Sequence, residues 1–167
     1  MKHTVIEKQN NSKLCFVCGI NNEFGLKASF YEIENEELAA VFHPNDFHQG
    51  YPGRLHGGIA STALDETIGR AILIKDKNIW GVTLELNLKF RKPIPLDKPV
   101  KVVARLTEVG TRVFEGTGEI ILENGDIAVT AHGKYFKIPL DKITDKEFKA
   151  EEWFKIKGEN DPEEIEF

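Results

Sequence analysis

The chain of 167 residues has only two cysteines, Cys15 and Cys18, both in the run CFVCG. A secreted disulfide framework needs more, so reduced thiols are expected. A zinc site needs further ligands at metal spacing, and His43 and His48 supply no second pair. The run also lacks the βαβ setting of a redox dithiol, so local packing is expected, with no metal and no cofactor. Long apolar runs are absent too. Nothing approaches the roughly eighteen residues of a membrane span, and the leader MKHTVIEKQNNSK has no signal-type apolar stretch, which excludes a membrane helix and points to the cytoplasm. Positive charge is not in excess either. With 22 basic and 27 acidic residues the net charge is -5, which leaves no electrostatic footprint for nucleic acid.

What is present is an ordinary globular composition, 41% apolar and 29% charged, with eleven Phe. Its length suits one domain. LKASFYEI and ELAAVFH read as a hairpin, and residues 44–58 hold enough Gly and Pro to mark a long loop. The segment from Gly58 to about Ile74 is the strongest helix candidate. Four strand-like runs follow. VTLELNLKF places Val82, Leu84, Leu86, Leu88 and Phe90 on one face and Thr83, Glu85, Asn87 and Lys89 on the other. VKVVARLTEV, RVFEGTGEIIL and IAVTAHGKYFKI continue as a meander, separated by Gly110-Thr111 and by the tight-turn signal Asn124-Gly125. Two strands, one helix and four strands make an α+β fold with a single helix to cover a large antiparallel sheet. Beyond Pro139 the sequence turns charged, and a short helix is expected around Asp145 to Ile156.

Around the helix, Ala60, Leu64, Ile68, Ala71 and Ile72 form the apolar stripe. Glu66 and Arg70 are four apart and read as a surface ion pair. Gly58, Thr62, Asp65 and Gly69 share another sector, a line of small residues around one acid with no helical partner. Two readings stand for it: a face that meets water, or one left open to a ligand or a second backbone. The His56-Gly57-Gly58 entrance likewise reads as a helix cap or as an anion site, because the first amides of a helix point outward along its dipole. For acyl transfer those amides form an oxyanion hole. Gly57 and Asp65 are separated by about 12 Å of helix, too far to act on one carbonyl. Two copies packed with antiparallel helices remove that separation and cover an exposed sheet edge.

The strand order and HGGIASTALDE, with Asp65 nine residues after His56, resemble the hotdog-fold acyl-CoA thioesterases of the phenylacetic-acid type and the THEM4-like type. CFVCG followed by NNEFGL, and TLELNLKFRKPIPL after the helix, are similar to further features of those families. The resemblance covers about residues 14–137, the core of a domain spanning 1–138, with 1–13 as a polar leader and 139–167 as a charged, partly helical appendage. It implies an antiparallel sheet wrapped around one central helix. It implies hydrolysis of acyl-CoA thioesters, coenzyme A being part of the substrate rather than a cofactor. His56 and the Gly57 amide are implied to hold the thioester oxygen, Asp65 of a partner subunit to act as general base or nucleophile, and Thr83 to position water or Asp65. Gly58 and Thr62 are implied at the substrate, and Lys89, Arg91, Lys92 and Arg112 are candidates for the CoA phosphates. A homodimer or homotetramer with the site at the dimer interface follows. The alternatives are a hotdog enoyl-CoA hydratase or dehydratase, and a non-catalytic acyl-CoA binder.

Overall fold

The structure, a computed structural model, describes residues 1–144, 152–156, 158 and 161–167. Its strands are β1 (Lys2–Lys8), β2 (Asn11–Ser12), β3 (Ser29–Ile33), β4 (Glu37–Phe42), β5 (Gln49–Tyr51), β6 (Arg54–Leu55), β7 (Ile79–Phe90), β8 (Val100–Val109), β9 (Val113–Ile121), β10 (Ile127–Pro139), β11 (Trp153–Phe154) and β12 (Glu164–Glu166). The helix α1 spans Gly57–Arg70 and tightens into a 3-10 turn over Ala71–Ile74. Eight strands form one antiparallel sheet in the order β12-β1-β3-β4-β8-β9-β10-β7. The expected stripe Ala60, Leu64, Ile68, Ala71 and Ile72 is buried throughout, packed with Phe30, Phe42, Phe114 and Ile120 from the sheet. Among the described residues, no helix is long and apolar enough to cross a membrane.

Three expectations about the terminal segments change. Lys2–Lys8, read as a polar leader, is a strand of the main sheet, pairing Val5 with Ile33 and, on its other edge, His3 with Ile165. Its partner β12 lays Ile165 on a second, smaller apolar cluster with Tyr31, Ile33, Ala39 and Val103. The C-terminal segment therefore contributes an edge strand. Of the helix expected over Asp145 to Ile156, residues 145–151 lie outside the described residues. Its described end is the strand β11, which pairs with β2 and sets Trp153 edge-on to Trp80 at 4.7 Å.

The Glu66–Arg70 pair exists, at 2.7 Å, but it is not on the surface: the Arg70 side chain is 1% exposed. Its guanidinium lies 4.1 Å from the centre of the Phe30 ring and 4.7 Å from that of Trp153. A planar, weakly hydrated cation suits such a sandwich. Its donors are satisfied by Glu66 Oε1, the Asn10 carbonyl and Cys18 Sγ. Periodicity places the pair on a helix face; it cannot reveal that the N-terminal loop covers that face.

The alternation expected along β7 also breaks. Tyr135 pairs with Thr83 and Lys134 with Glu85, so Leu84 is the extra residue of a β-bulge. Beyond it Leu86 and Leu88 pack on the core as expected. Before it the phase reverses, so that Gly81 and Thr83 face α1 while Val82 and Leu84 are exposed. At Gly81 the helix backbone itself comes close: a Cβ there would stand 3.2 Å from the Gly69 carbonyl and 2.5 Å from Phe114 Cζ. Small residues at 69 and 81 thus set how near the helix lies to the sheet edge. Gly81→Ala is expected to lower the unfolding free energy by about 1–3 kcal/mol through overpacking. Urea denaturation checks this, and an unchanged midpoint would contradict the close approach.

Candidate active site

The bulge brings Thr83 to the middle of α1. Its Oγ1 donates to Asp65 Oδ1 at 2.8 Å. Tyr135 Oη lies 3.1 Å from both Asp65 Oδ1 and the Asp65 carbonyl, so its single proton is shared between them. Among the described residues Asp65 Oδ2 has no hydrogen-bond partner, which leaves it as the oxygen available to water or a substrate. Burial raises the Asp65 carboxyl above its ordinary value; the bonds from Thr83 and Tyr135 oppose that rise, and the Glu66 charge adds to it. Burial, then the Asp65 charge, push the Tyr135 phenol upward, so it remains a donor.

Tyr135 was not legible in the sequence as a site residue. It is 1% exposed, and its ring stacks on Phe114 at 5.1 Å beside Gly69. The only trace is the pattern Ala131, Gly133, Tyr135, two small residues and then a large one on one face of a strand. The small stripe on α1 is divided accordingly. Gly69 is covered by this chain's own Tyr135, whereas Gly58 is exposed at the helix start.

At that start, His56 is the N-cap, and its Nδ1 accepts from the Gly58 amide at 2.8 Å. Two consequences follow. The Gly58 amide is occupied, while among the described residues the Gly57 amide has no partner, so Gly57 is the free donor at the helix tip. Because Nδ1 accepts, the ring in this geometry carries its proton on Nε2, a second donor. His is not among the favoured N-cap residues, and Asn or Ser would cap equally well while presenting no such group. The hydroxyl of Thr62 donates to the Gly58 carbonyl within the helix.

Beside the helix tip lies a cavity of ≈ 330 Å³, walled by Leu55, Gly57, Ala60, Phe90 and Ile94, with Arg91 and Lys92 also lining it. Lys92 is held by Asp126 at 2.6 Å, whereas Arg91 is exposed. Lys89 does not line this cavity; it lies between Leu88 and Phe90, on the opposite face of β7. Arg112 sits between β8 and β9, where its carbonyl accepts from Lys137 at the far end of β10. One chain therefore presents two separate polar groupings, an acid with two donors at mid-helix and an amide with an imidazole at the tip, about 12 Å apart along the rod.

A long antiparallel sheet curled around a single central helix is the hotdog architecture. Residues 52–129, from the loop before α1 into β10, match the family model of the Thioesterase superfamily. Over 138 residues the chain is 26% identical to the acyl-coenzyme A thioesterase THEM4 of Rattus norvegicus, a match spanning 81% of this chain and 59% of that protein. A crystal structure of a thioesterase from Haemophilus influenzae superposes with a TM-score of 0.66 at 16% identity, covering 79% of this chain and 97% of that one. A hypothetical thioesterase from Streptococcus pneumoniae, crystallised with coenzyme A, superposes with a TM-score of 0.57 at 19% identity, covering 62% and 82%. The chain spans between 26% and 59% of the length of such curated relatives.

The cap geometry generates a prediction. His56→Ala is expected to lower stability by about 1 kcal/mol and His56→Asn to recover most of it. Thermal unfolding of the two variants checks this; equal melting points would show that His56 does not cap the helix.

Proposed function

We propose that this protein hydrolyses acyl-CoA thioesters at two equivalent sites, each shared between two copies of the chain. The observation that carries the reading is the Asp65 carboxylate, held through Oδ1 by Thr83 and Tyr135 with Oδ2 left over. A carboxylate fixed on one oxygen and free on the other suits removal of a proton from water, or direct attack on a carbonyl. Either route builds negative charge on the thioester oxygen. That charge needs donors, and in one chain the free Gly57 amide and His56 Nε2 are too distant to supply them.

Strand β7 supports the assembly that closes the gap. It ends the eight-stranded sheet, so its outer edge is open among the described residues, and it exposes Val82, Leu84 and Phe90 by 42%, 53% and 57%. Long apolar edges of this kind favour pairing with a second copy. The strand touches both half-sites: Thr83 bonds Asp65, and the Phe90 ring stands 3.5 Å from where a side chain on Gly57 would begin. Antiparallel pairing about a two-fold axis near Leu86 and Asn87 sets Thr83 opposite Phe90 of the partner subunit. Asp65 then faces Gly57 of the partner subunit. The thioester carbonyl sits between them, its oxygen on the Gly57 amide, and the thiol departs as the tetrahedral intermediate collapses. The cavity beside Gly57 is apolar enough for an acyl chain or the pantetheine arm, with Arg91 at its edge for a phosphate.

Asp65→Asn is expected to lower kcat on acyl-CoAs by about 10²–10⁴-fold with little change in KM, the range for loss of a positioned acid or base. Thr83→Val and Tyr135→Phe, which act through Asp65, are expected to cost less. Release of free thiol from a panel of acyl-CoAs reads this out. Binding without release, hydration of an enoyl-CoA instead, or full turnover in the Asp65 variant would each contradict the proposal.

A further inference from the structure

On the side of α1 away from Tyr135, Cys15, Cys18 and Glu66 converge, with a ligand atom from each lying within 4.8 Å of the other two. We propose that these three side chains bind a divalent zinc ion that clips the N-terminal loop to the central helix. Two thiolates and a carboxylate around a tetrahedral ion sit about 3.5–3.8 Å apart, given bond lengths of about 2.3 Å to sulfur and about 2.0–2.2 Å to oxygen. The cluster therefore needs to contract by at most about 1.0–1.3 Å. Cys-x-x-Cys is the pair spacing zinc sites use, and the sequence alone lacked a further ligand because Glu66 is 48 residues beyond Cys18.

The loop is shaped around the sulfurs. The Val17 amide donates to Cys15 Sγ at 3.3 Å and the Ser12 amide to Cys18 Sγ at 3.4 Å. Only glycine fits after Cys18, since a Cβ on Gly19 would stand 2.3 Å from the Cys15 carbonyl oxygen, which accepts from the Gly19 amide at 2.8 Å. Amides aimed at sulfur orient metal-bound thiolates and spread their charge. Arg70 completes the arrangement: Nε donates to Glu66 Oε1 at 2.7 Å and Nη2 to Cys18 Sγ at 2.9 Å. A dication with two thiolates and one carboxylate carries a net charge of -1, and the buried guanidinium brings the sum to zero, as a low-dielectric site requires. Mixed sulfur and oxygen donors favour zinc over calcium or magnesium, and the half-buried Cys15 leaves a fourth position to water.

The test reads the metal and not hydrolysis, so it stands apart from the activity proposed above. The full chain, produced with zinc and dialysed, is assayed for metal by mass spectrometry and for free thiols. The metal-free chain is then titrated with Co²⁺. About one zinc per chain is expected, with a sulfur-to-cobalt charge-transfer band on titration. Cys18→Ser sits in the core and could misfold, so the half-buried Cys15→Ser is the paired variant; in both, the ion is lost and the band collapses. Glu66→Gln is expected to keep the band and to weaken binding by at least about 10-fold. A dialysed chain with no metal, both thiols titratable and no cobalt band would overturn the proposal. So would a mass two daltons low with no free thiol, which marks a disulfide instead.

Discussion

The constraint from which the rest follows is the rigidity of one helix. An α-helix advances about 1.5 Å per residue, so the amide at its tip and an acid eight residues on are fixed about 12 Å apart, whatever the loops around them do. Neither end can bend toward the other. A site that needs both groups on one carbonyl must draw them from two rods, and antiparallel pairing of two rods is the symmetric solution. The sheet supplies the means, because its terminal strand runs alongside the helix and is in contact with both groups.

Much of this was legible in the sequence, and the limits are physical. The stripe from Ala60 to Ile72, the hairpin before the helix and the four strands after it follow from period, because burial on one face imposes period. Asp65, Gly57 and His56 could be singled out because an acid among small residues and a glycine pair at a helix entrance are costly choices without a use, whereas Thr83 was named only through the family resemblance. The side of β7 on which Thr83 lies was not legible. Unbroken alternation puts Thr83 opposite Leu86 and Leu88, and only the extra residue at Leu84 turns it toward Asp65. A bulge is decided by pairing with another strand, which local pattern does not carry. Tyr135 was hidden for the same reason, since its role depends on lying across from Thr83 in register.

The charged residues taught a related lesson. Glu66 and Arg70 form the ion pair that their spacing implies, but the residues that bury it come from elsewhere: Phe30 from the hairpin, Cys18 from the N-terminal loop and Trp153 from the C-terminal segment. Segments that looked like trimmings on composition are thus part of the packing around α1. The helix carries two adjacent acids with opposite environments. Asp65 is held by neutral hydroxyl donors and keeps an oxygen free, while Glu66 is neutralised by a buried cation beside two sulfurs. Adjacent positions on a helix point about 100° apart, which is enough to separate a carboxylate with a free oxygen from one locked in an ion pair.

Complementation between subunits tests the shared site most directly. Gly57→Pro removes the tip amide at the first helical position, where proline is tolerated, and His56 already has the extended backbone that a following proline requires. That variant and Asp65→Asn are each expected to be nearly inactive. Unfolded together in equal amounts and refolded, they should recover about a quarter of wild-type activity, because half the dimers are mixed and each mixed dimer holds one intact site. If acid and amide worked within a single chain, every chain in the mixture would carry a defect, and the activity would stay at the level of the separate variants.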